Sequence, residues 1–288
     1  MEIFATPDEM RTWSRSRRRD GRTIGLVPTM GALHRGHLEL IVDAARRCDD
    51  VVVSVFVNPL QFDRPTDFDS YPRPIDDDVD VCARHGVAAV YAPTAAAMYP
   101  PEFETSVTPG ALAEVMEGPM RPGHFDGVAT VVTKLFGAVD SDVAVFGQKD
   151  YQQLAIIRRM AADLDTGIEI VGHPVVREDD GVALSSRNVR LSPIQRAAAV
   201  CVPRSLDAAC ALARSGEATT TEVIAAAAGV VAREPEASLE YTEVFDASSL
   251  RAVEDLTSLE RSPGLVRIAT AVWFGEVRLI DNRDLFDD

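Results

Sequence analysis

Short apolar runs alternate with longer segments of helical periodicity from Thr23 to about Val171. The short runs are rich in β-branched residues, and the longer segments repeat apolar positions every three or four residues, which is typical of βαβ units. The predicted strands are Ile24–Val27, Val51–Val57, Val87–Tyr91, Val143–Phe146 and Ile168–Val171, and the predicted helices are Leu38–Arg47, Asp76–Arg84 and Tyr151–Leu164. The pattern predicts an α/β fold with a Rossmann-like, doubly wound parallel sheet. Because Val51–Val57 is apolar except for Ser54, helices should cover both of its faces.

The pattern changes after Pro174. Ser192 with Gln195, and Thr219 with Glu222, have the spacing of a helix-capping box, and Pro203 should kink or break the first of these two helices. The strands predicted beyond them are Leu239–Phe245, Leu265–Trp273 and Val277–Ile280. We therefore predict a Rossmann-like nucleotide-binding domain at residues 1–172 and a smaller α+β domain at residues 173–288.

Composition and charge narrow the function classes. The 46% hydrophobic and 26% charged fractions are those of a globular protein. The formal net charge of −16 disfavours nucleic acid as a partner, because an acidic surface repels a phosphate backbone. The four cysteines form no CxxC pair, which indicates free thiols in a reducing cytoplasm. No apolar run approaches the roughly 20 residues that span a bilayer, and neither a signal peptide nor a membrane partner is expected.

The segment PTMGALHRGH, residues 28–37, follows the first predicted strand and precedes a helix. Backbone N–H groups should be unpaired at such a junction, and the helix N-terminus favours an anion, so the segment predicts phosphate binding. Gly31 and Gly36 have the spacing of a P-loop. His37 and Leu38 stand where that loop requires Lys and Ser or Thr, so a Walker A site is excluded.

His34 and His37 lie three residues apart at the predicted helix start, which places both on one side of the helix. Two imidazole donors there could stabilise the charge that a phosphate gains in a transition state. Two other interpretations stay open: the histidines bind a metal ion as a pair, or they cap the helix.

The segment GQKD, residues 147–150, follows the predicted strand Val143–Phe146. Ligands of open parallel sheets bind at the carboxyl ends of strands where the strand order reverses, so this segment should converge with residues 28–37. Lys149 can present a positive charge to a phosphate. The alternative is a solvated ion pair with Asp150, which would contribute little.

The segment LSSRN, residues 184–188, follows a predicted strand at Pro174–Arg177 and an acidic turn. The hydroxyls of Ser185 and Ser186 and the guanidinium of Arg187 could form an anion clamp. A serine-rich turn that caps a helix is the alternative. The position next to the predicted domain boundary favours a ligand site.

Two of these segments resemble known motifs. VPTMGALHRGH resembles the HIGH motif of the class I synthetase and nucleotidyltransferase superfamily, and LSSRN resembles a shortened form of its KMSKS loop. Five strings in order resemble the pantoate–β-alanine ligase family, and a sixth resembles its final strand. They are FVNPLQF at 56–62, YPR at 71–73, RPGHF at 121–125, FGQKDYQQL at 146–154, REDDGVALSSRN at 177–188, and LIDN at 279–282.

The resemblance implies an ATP-dependent, cytoplasmic ligase, homodimeric like most of the family. Such enzymes use Mg²⁺ and ATP to convert pantoate to a bound pantoyl adenylate, releasing pyrophosphate; β-alanine then displaces AMP to give pantothenate. It implies His34, His37 and Lys149 as catalytic residues, with His37 in the position of the proton donor. The implied ATP contacts are Met30, Gly31, Ala32, Leu33, His34, Arg35, Gly36, His37, Gly147, Gln148, Lys149, Asp150, Val176, Leu184, Ser185, Ser186 and Arg187.

Gln61 and Gln153 match the glutamines that bind pantoate in this family, and Gln61 also lies where β-alanine arrives. Neutral amides can hydrogen-bond hydroxyl and carboxylate groups without adding a competing nucleophile; exposed surface glutamines are the alternative. Gln148 departs from the family, where many relatives have Glu, and activity should survive this change.

The acidic run Asp76–Asp78 is a candidate magnesium site, but acids in a first helical turn are usually favourable partners of the helix dipole. Because Mg²⁺ often binds mainly to substrate phosphates, its protein ligands stay unassigned. Residues Gln61 to Arg73 show no regular period and predict a long loop, which could close as a lid over the reacting groups.

Three other functions are alternatives to this ligase activity. A nucleotidyltransferase of the same superfamily would join the nucleotide to a phosphorylated acceptor and keep it in the product. A non-catalytic adenylate-binding regulator need not retain His34, His37 and Lys149 together. A tRNA-charging enzyme is disfavoured by the short chain and its charge of −16.

Overall fold

The computed structural model describes residues 1–259 and 261–287. Its contacts divide the chain into two units. The first comprises residues 1–148 and 152–174, and the second comprises residues 149–151 and the chain from Val175 onward. The segment Lys149–Tyr151 therefore belongs to the second unit, although the residues on either side of it belong to the first.

The first unit contains a six-stranded sheet in the order β1-β4-β3-β2-β5-β6. Its strands are β1 (Glu2–Phe4), β2 (Ile24–Thr29), β3 (Asp50–Val55), β4 (Ala89–Tyr91), β5 (Val143–Gly147) and β6 (Glu169–His173). Every neighbouring pair is parallel. The predicted doubly wound sheet is confirmed, and its order reverses at β2, which has β3 on one side and β5 on the other.

Helices cover both faces of this sheet. The helices between β1 and β6 are α1 (Pro7–Arg19), α2 (Arg35–Arg47), α3 (Pro65–Ser70), α4 (Ile75–Arg84), α5 (Ala95–Met98), α6 (Glu117–Met120), α7 (His124–Val139) and α8 (Tyr151–Asp163). Val52 of β3 packs in one apolar cluster with α1 and α7, while Val51 and Val53 pack in another with α2 and α4. Both faces of β3 are therefore buried, as its unbroken apolar run predicts.

The sequence pattern missed α1 and α7 and misjudged α3. Twelve of the 16 residues of α7 are buried, so only a narrow polar stripe marks its exposed face. The segment Gln61 to Arg73, expected as a long loop, contains α3 and a short 3₁₀ turn at Pro59–Gln61. Phe62 lies against Phe68 and Tyr71, at ring-centroid distances of 5.3 and 5.8 Å, which stabilises this compact segment.

The second unit combines three helices with a three-stranded antiparallel sheet of order β7-β8-β9. Its elements are α9 (Pro193–Ala198), α10 (Cys201–Arg214), α11 (Thr220–Val231), β7 (Ser238–Asp246), β8 (Val266–Phe274) and β9 (Val277–Asp284). Both predicted capping boxes are present, at Ser192 and Thr219. The helical chain is interrupted between α9 and α10, and Pro203 lies in the first turn of α10. This position tolerates proline because its missing N–H would have no helical partner there.

The strand predicted at Pro174–Arg177 is wrong. The segment makes only an isolated bridge between Arg177 and Ala183 among the described residues. The segment forms one side of a tight turn and is too short to make the repeated backbone hydrogen bonds of a β-strand. None of the helices described is both long and apolar enough to cross a membrane.

Candidate active site

The carboxyl ends of β2 and β5 meet at one edge of the sheet. The two strands are neighbours, with Leu26 opposite Ala144, and they end at Thr29 and Gly147. The turn that begins at Met30 and the residues Gly147 and Gln148 therefore leave the sheet side by side, at the point where the strand order reverses. This is the position at which open α/β sheets bind ligands.

The backbone of the turn after β2 is already hydrogen-bonded within the first unit. The N–H group of Gly31 donates to Thr29 Oγ1 at 3.1 Å. Those of Ala32 and Leu33 donate to the two carboxylate oxygens of Asp78, at 2.9 and 2.7 Å. The expectation of unpaired backbone donors at this junction is therefore wrong, because a carboxylate from α4 already accepts from them. An anion here would meet side chains instead.

Asp78 holds this turn in an unusual backbone conformation. Gly31 has φ +80° and Ala32 has φ +53°, so two successive residues are left-handed, which costs the alanine about 1 kcal/mol or more. A Cβ atom at Gly31 would lie 2.8 Å from Asp78 Oδ2. Asp76 and Asp77 are exposed, whereas Asp78 is 2% exposed. The three acids are alike in sequence, and only the structure separates Asp78 from its neighbours.

His34 and His37 cap the start of α2. The hypothesis that these two histidines cap the helix is therefore correct for part of their role. His34 Nδ1 accepts from Gly36 N at 3.1 Å, and His37 Nδ1 accepts from His34 N at 3.2 Å. The two rings lie 4.1 Å apart. Because each Nδ1 faces a backbone donor, the neutral rings carry their protons on Nε2. The cap therefore fixes both imidazoles as Nε2–H donors.

Gln61 lies beside this turn. Its Nε2 donates to Met30 Sδ at 3.4 Å, and its Oε1 accepts from Asn58 Nδ2 at 2.9 Å. Asn58 is 1% exposed and is fixed in turn by Tyr99, whose hydroxyl donates to Asn58 Oδ1 at 2.7 Å. Asn58 and Tyr99 were missed as site residues, although Asn58 lies within the string FVNPLQF. They orient the Gln61 amide with its N–H donors toward Met30.

The backbone of Gln61 is anchored separately. His124 Nδ1 lies 2.7 Å from Gln61 O, and Arg121 Nε pairs with Asp63 at 3.1 Å. The string RPGHF thus fixes the position from which Gln61 projects.

The two adjacent glutamines of α8 have different surroundings. Gln152 is 5% exposed, and its amide bonds the backbone of Leu112, Val115 and Glu117 at 2.8 to 3.0 Å. Gln153 is half-buried. Among the described residues, no hydrogen bond joins Gln153 to Gln61 or Met30. Gln152 therefore holds the fold, and the pantoate-binding role of Gln153 stays a prediction.

Lys149 makes the contact with Asp150 that the alternative interpretation names, but its side chain is mostly covered. Its side chain is 19% exposed, and its Nζ lies 3.8 Å from Asp150 Oδ2, at the far limit of an ion pair. Its backbone carbonyl accepts from Asn282 Nδ2 at 2.9 Å. Tyr151, two residues on, stacks under the guanidinium of Arg267, 4.3 Å from the ring centroid. The segment is thus held by side chains of the second unit.

The segment before LSSRN is a braced turn. Leu184 N donates to Val176 O at 2.9 Å, and Arg196 pairs with Asp180 through two hydrogen bonds of 2.8 and 3.1 Å. The Arg196 guanidinium lowers the pKa of the Asp180 carboxyl. Ser185 Oγ accepts from Arg187 N at 3.2 Å. Ser185 therefore does stabilise a turn, as the alternative interpretation holds, and its hydroxyl proton is available for a second contact.

A metal-binding histidine pair receives no support from the structure. Within residues 1–259 and 261–287, no group of three or more His, Cys, Asp or Glu side chains could hold a metal ion. Both oxygens of Asp78, the buried acid of the run, accept from backbone N–H groups.

The six-stranded parallel sheet, with paired imidazoles beyond the strand at which its order reverses, is typical of a nucleotide-binding α/β protein. A family model described as pantoate-beta-alanine ligase matches residues 2–284. The chain belongs to the pantoate–β-alanine ligase family, and its class is that of a ligase.

Curated relatives and solved structures agree with this assignment. The chain is 45% identical over 282 residues to a pantothenate synthetase of Pelobacter propionicus, covering 98% of this chain and 97% of the relative. It is 47% identical to that of Heliobacterium modesticaldum, with 98% of each covered. A pantothenate synthetase structure from Thermus thermophilus gives a TM-score of 0.91 at 41% identity, with 100% of both chains covered.

A second solved structure bears on the ligands. A pantoate-beta-alanine ligase from Francisella tularensis, complexed with beta-gamma ATP and beta-alanine, gives a TM-score of 0.81 at 30% identity, covering 100% of this chain and 99% of that one. That relative binds a nucleotide and the amine substrate on the same fold.

Proposed function

We propose that this protein condenses pantoate with β-alanine, using ATP, through a pantoyl adenylate. The pantoate carboxylate attacks the α-phosphorus of ATP and expels pyrophosphate, and the β-alanine amine then attacks the acyl carbon and expels AMP. The observation that carries the proposal is the pair of imidazoles beyond β2 whose Nδ1 atoms accept backbone N–H groups, in a chain matched to the ligase family over residues 2–284. In this proposal residues 1–172 form the Rossmann-like nucleotide-binding domain and residues 173–288 the smaller α+β domain, which adds nucleotide contacts of its own.

The two histidines stabilise the transition state of the first step, the formation of the adenylate. Negative charge develops on the phosphate oxygens as pantoate attacks, and fixed donors aimed at those oxygens stabilise the transition state. His34 and His37 are held by the helix cap as such donors, and His37 supplies the proton-donating group. Since the turn's own N–H groups face Asp78 and Thr29, these side chains carry the anion binding that the backbone does not.

Lys149 supplies the positive charge. An ammonium offers a phosphate a point charge with three N–H donors, and charge-assisted hydrogen bonds of this kind are strong. The proposed ATP contacts are those that the resemblance implies: residues 30–37, 147–150 and 184–187, with Val176. Gln61 and Gln153 bind pantoate, and Gln61 also meets β-alanine. The orientation of the Gln61 amide supports this role, since its N–H groups suit a carboxylate or hydroxyl oxygen.

Mg²⁺ enters with ATP in this proposal, held mainly by the phosphates, because Mg²⁺ keeps its waters and binds few protein ligands. We further propose that the enzyme works in the cytoplasm as a homodimer, as the family resemblance implies.

Product analysis tests the proposal. With ATP, Mg²⁺, pantoate and β-alanine, the protein should form pantothenate, AMP and pyrophosphate in equal amounts, and omission of either organic substrate should abolish pantothenate. A nucleotidyltransferase would need neither substrate and would keep the nucleotide in its product. Formation of ADP, or AMP release unaffected by pantoate, would contradict the proposal.

A further inference from the structure

Two neighbouring side chains of β9 bind two different segments of the proposed active site. Asp281 and Asn282 are 2% and 3% exposed. Along a strand, successive side chains point to opposite faces, so adjacent residues can contact separate parts of the chain. These two residues end the string LIDN, to which the proposed chemistry gives no role.

Asn282 contacts the segment that carries Lys149. Its Nδ2 donates to Lys149 O at 2.9 Å, and its Oδ1 accepts from Arg267 Nη2 at 2.7 Å. Arginine has only donors and a carbonyl only accepts, so the amide can take only this orientation. Asparagine suits the position because it offers both a donor and an acceptor; an aspartate would face the Lys149 carbonyl with a second acceptor.

Arg267 supports the same segment from its other end. It stacks on Tyr151, and the Tyr151 hydroxyl donates to Ala247 O at 3.0 Å. The three residues from Lys149 to Tyr151 are therefore bound at both ends by β8, β9 and the residue after β7.

Asp281 contacts the turn that precedes LSSRN. Its carboxylate accepts hydrogen bonds from Arg177 Nη1 and Nη2 at 2.7 and 3.0 Å. Arg177 Nη1 also donates to Gly181 O at 2.9 Å. Asp281 Oδ1 further accepts from the N–H group of Asn282 at 2.8 Å. The two anchors are thus adjacent in sequence and joined by a hydrogen bond.

We propose that Asp281 and Asn282 are positioning residues that hold Lys149 and the Ser185–Arg187 segment in fixed positions relative to each other. The inference rests on the proposed roles of those two segments in binding ATP. Neither anchor touches substrate; each acts through a carbonyl or a guanidinium. The effect should be large because a displacement of about 1 Å in a catalytic group can cost about 10²-fold in rate.

The substitution Asn282→Asp separates positioning from folding. A carboxylate at residue 282 can still pair with Arg267, so the protein should fold, but it cannot donate to Lys149 O and repels it. Pantoate-dependent ATP–pyrophosphate exchange should fall by about 10-fold to 10²-fold, while amide formation from supplied pantoyl adenylate should change much less. Gln195→Glu is the matched control: it adds the same charge in a capping box that accepts either residue, and exchange should stay native.

Asn282→Ala provides a second variant that removes the same hydrogen bond without placing a charge beside the carbonyl. It should show the same loss of exchange with the same sparing of the second half-reaction. Native exchange in a folded Asn282→Ala or Asn282→Asp protein would overturn the inference.

The double variant Lys149→Ala with Asn282→Asp tests whether the asparagine acts through the lysine. If it does, the double variant should be no slower than Lys149→Ala alone, because effects on one shared group do not add. Multiplied losses would indicate a general structural fault and overturn the inference. Native exchange in Lys149→Ala alone would instead refute the proposed role of Lys149, so the two failures are distinguishable.

The other anchor has its own test. Asp281→Asn should raise the KM for ATP more than it lowers kcat, because the Ser185–Arg187 segment is assigned to ATP binding. Arg177→Gln should give the same shift, and the combined variant should give no larger one. A native KM in either folded single variant would remove Asp281 from the inference.

Discussion

The turn carrying His34 and His37 and the segment carrying Lys149 are stabilised in different ways. The histidine turn is held largely by its own residues, through hydrogen bonds that span two or three positions, with Asp78 added from 46 residues away. The lysine segment is held by Asn282, 133 residues along the chain. The first arrangement is mostly local and the second is entirely long-range.

This difference bears on how each segment responds to mutation. A helix cap forms within one turn of chain and survives changes elsewhere, whereas a carbonyl bound by a distant amide depends on the packing of a whole sheet. Both segments still share one feature: a buried polar side chain from outside the motif bonds the motif's backbone. The following variants separate the local contribution from the long-range one.

The largest effect is expected for His37→Ala. Loss of one transition-state donor should slow adenylation by about 10²-fold to 10³-fold. The variant also loses one hydrogen bond of the α2 cap, which should cost about 1 kcal/mol of stability or less. Single-turnover adenylation and chemical denaturation measure the two effects. His85→Ala, at an exposed histidine, should change neither; a near-native adenylation rate in His37→Ala would contradict its assigned role.

Lys149→Ala should slow adenylation by about 10²-fold or more, since a charge facing the phosphate is lost. Pantoate binding should be less affected. When pantoyl adenylate and β-alanine are supplied in a single-turnover assay, the variant should recover much of the native rate, because expulsion of AMP requires less new charge at that oxygen. Arg159→Ala, which removes an exposed cation on α8, serves as control. Equal damage to both half-reactions would show that Lys149 is shared or structural.

Gly31→Ala and Gly147→Ala compare two glycines at the same sheet edge. Gly31 has φ +80°, and an added Cβ would lie 2.8 Å from Asp78 Oδ2, so alanine should lower both stability and activity. At Gly147 an added Cβ meets nothing within 4 Å. Gly147→Ala should therefore keep the native thermal midpoint. It should lose activity only if the added methyl group crowds the bound nucleotide. A stable, active Gly31→Ala protein would show that the turn tolerates another shape.

Asp78→Asn tests the one distant contact of the histidine turn. An amide can accept from only one of the two N–H groups and presents a donor to the other, so stability should fall by about 1 to 3 kcal/mol. The KM for ATP should rise as the turn loses its fixed shape. Asp80→Asn removes an exposed charge from the same helix and is the matched control. If the two variants behave alike, the turn is held by its local caps alone.

The smallest effect concerns the segment Gln61–Arg73, our candidate lid. Hydrogen exchange in α3 should slow when ATP and pantoate are both present, because closure would protect the reactive anhydride from water. The flanking helix α4 should change little. Unchanged exchange in α3 would mean that this compact segment is a fixed surface element.

Five of the six strands could be predicted from sequence because they are short apolar runs between helices. Strand β1 (Glu2–Phe4) was missed because it has only three residues and they are largely exposed. Helix α7 was missed because most of its residues are buried and only a narrow polar stripe marks its exposed face. The segment Pro174–Arg177 has strand-like residues, but its partner is a tight turn rather than a neighbouring strand.

The residues of the candidate site also fall into those that the sequence identifies and those that only the structure identifies. His34, His37 and Lys149 lie in short motifs at strand ends, and the sequence is sufficient to single them out. The side chains that orient these residues could not be singled out from sequence. Asp78 resembles its two exposed neighbours, and nothing near Asn282 indicates a contact with Lys149. Such partners are set by which elements the fold brings together, which one sequence does not reveal.

The most direct test of the central claim is ATP–pyrophosphate exchange measured with pantoate and Mg²⁺ but without β-alanine. A reversible pantoyl adenylate step predicts that labelled pyrophosphate enters ATP at a rate that rises with pantoate and vanishes without it. Absence of exchange at any pantoate concentration, or exchange that is indifferent to pantoate, would contradict the account.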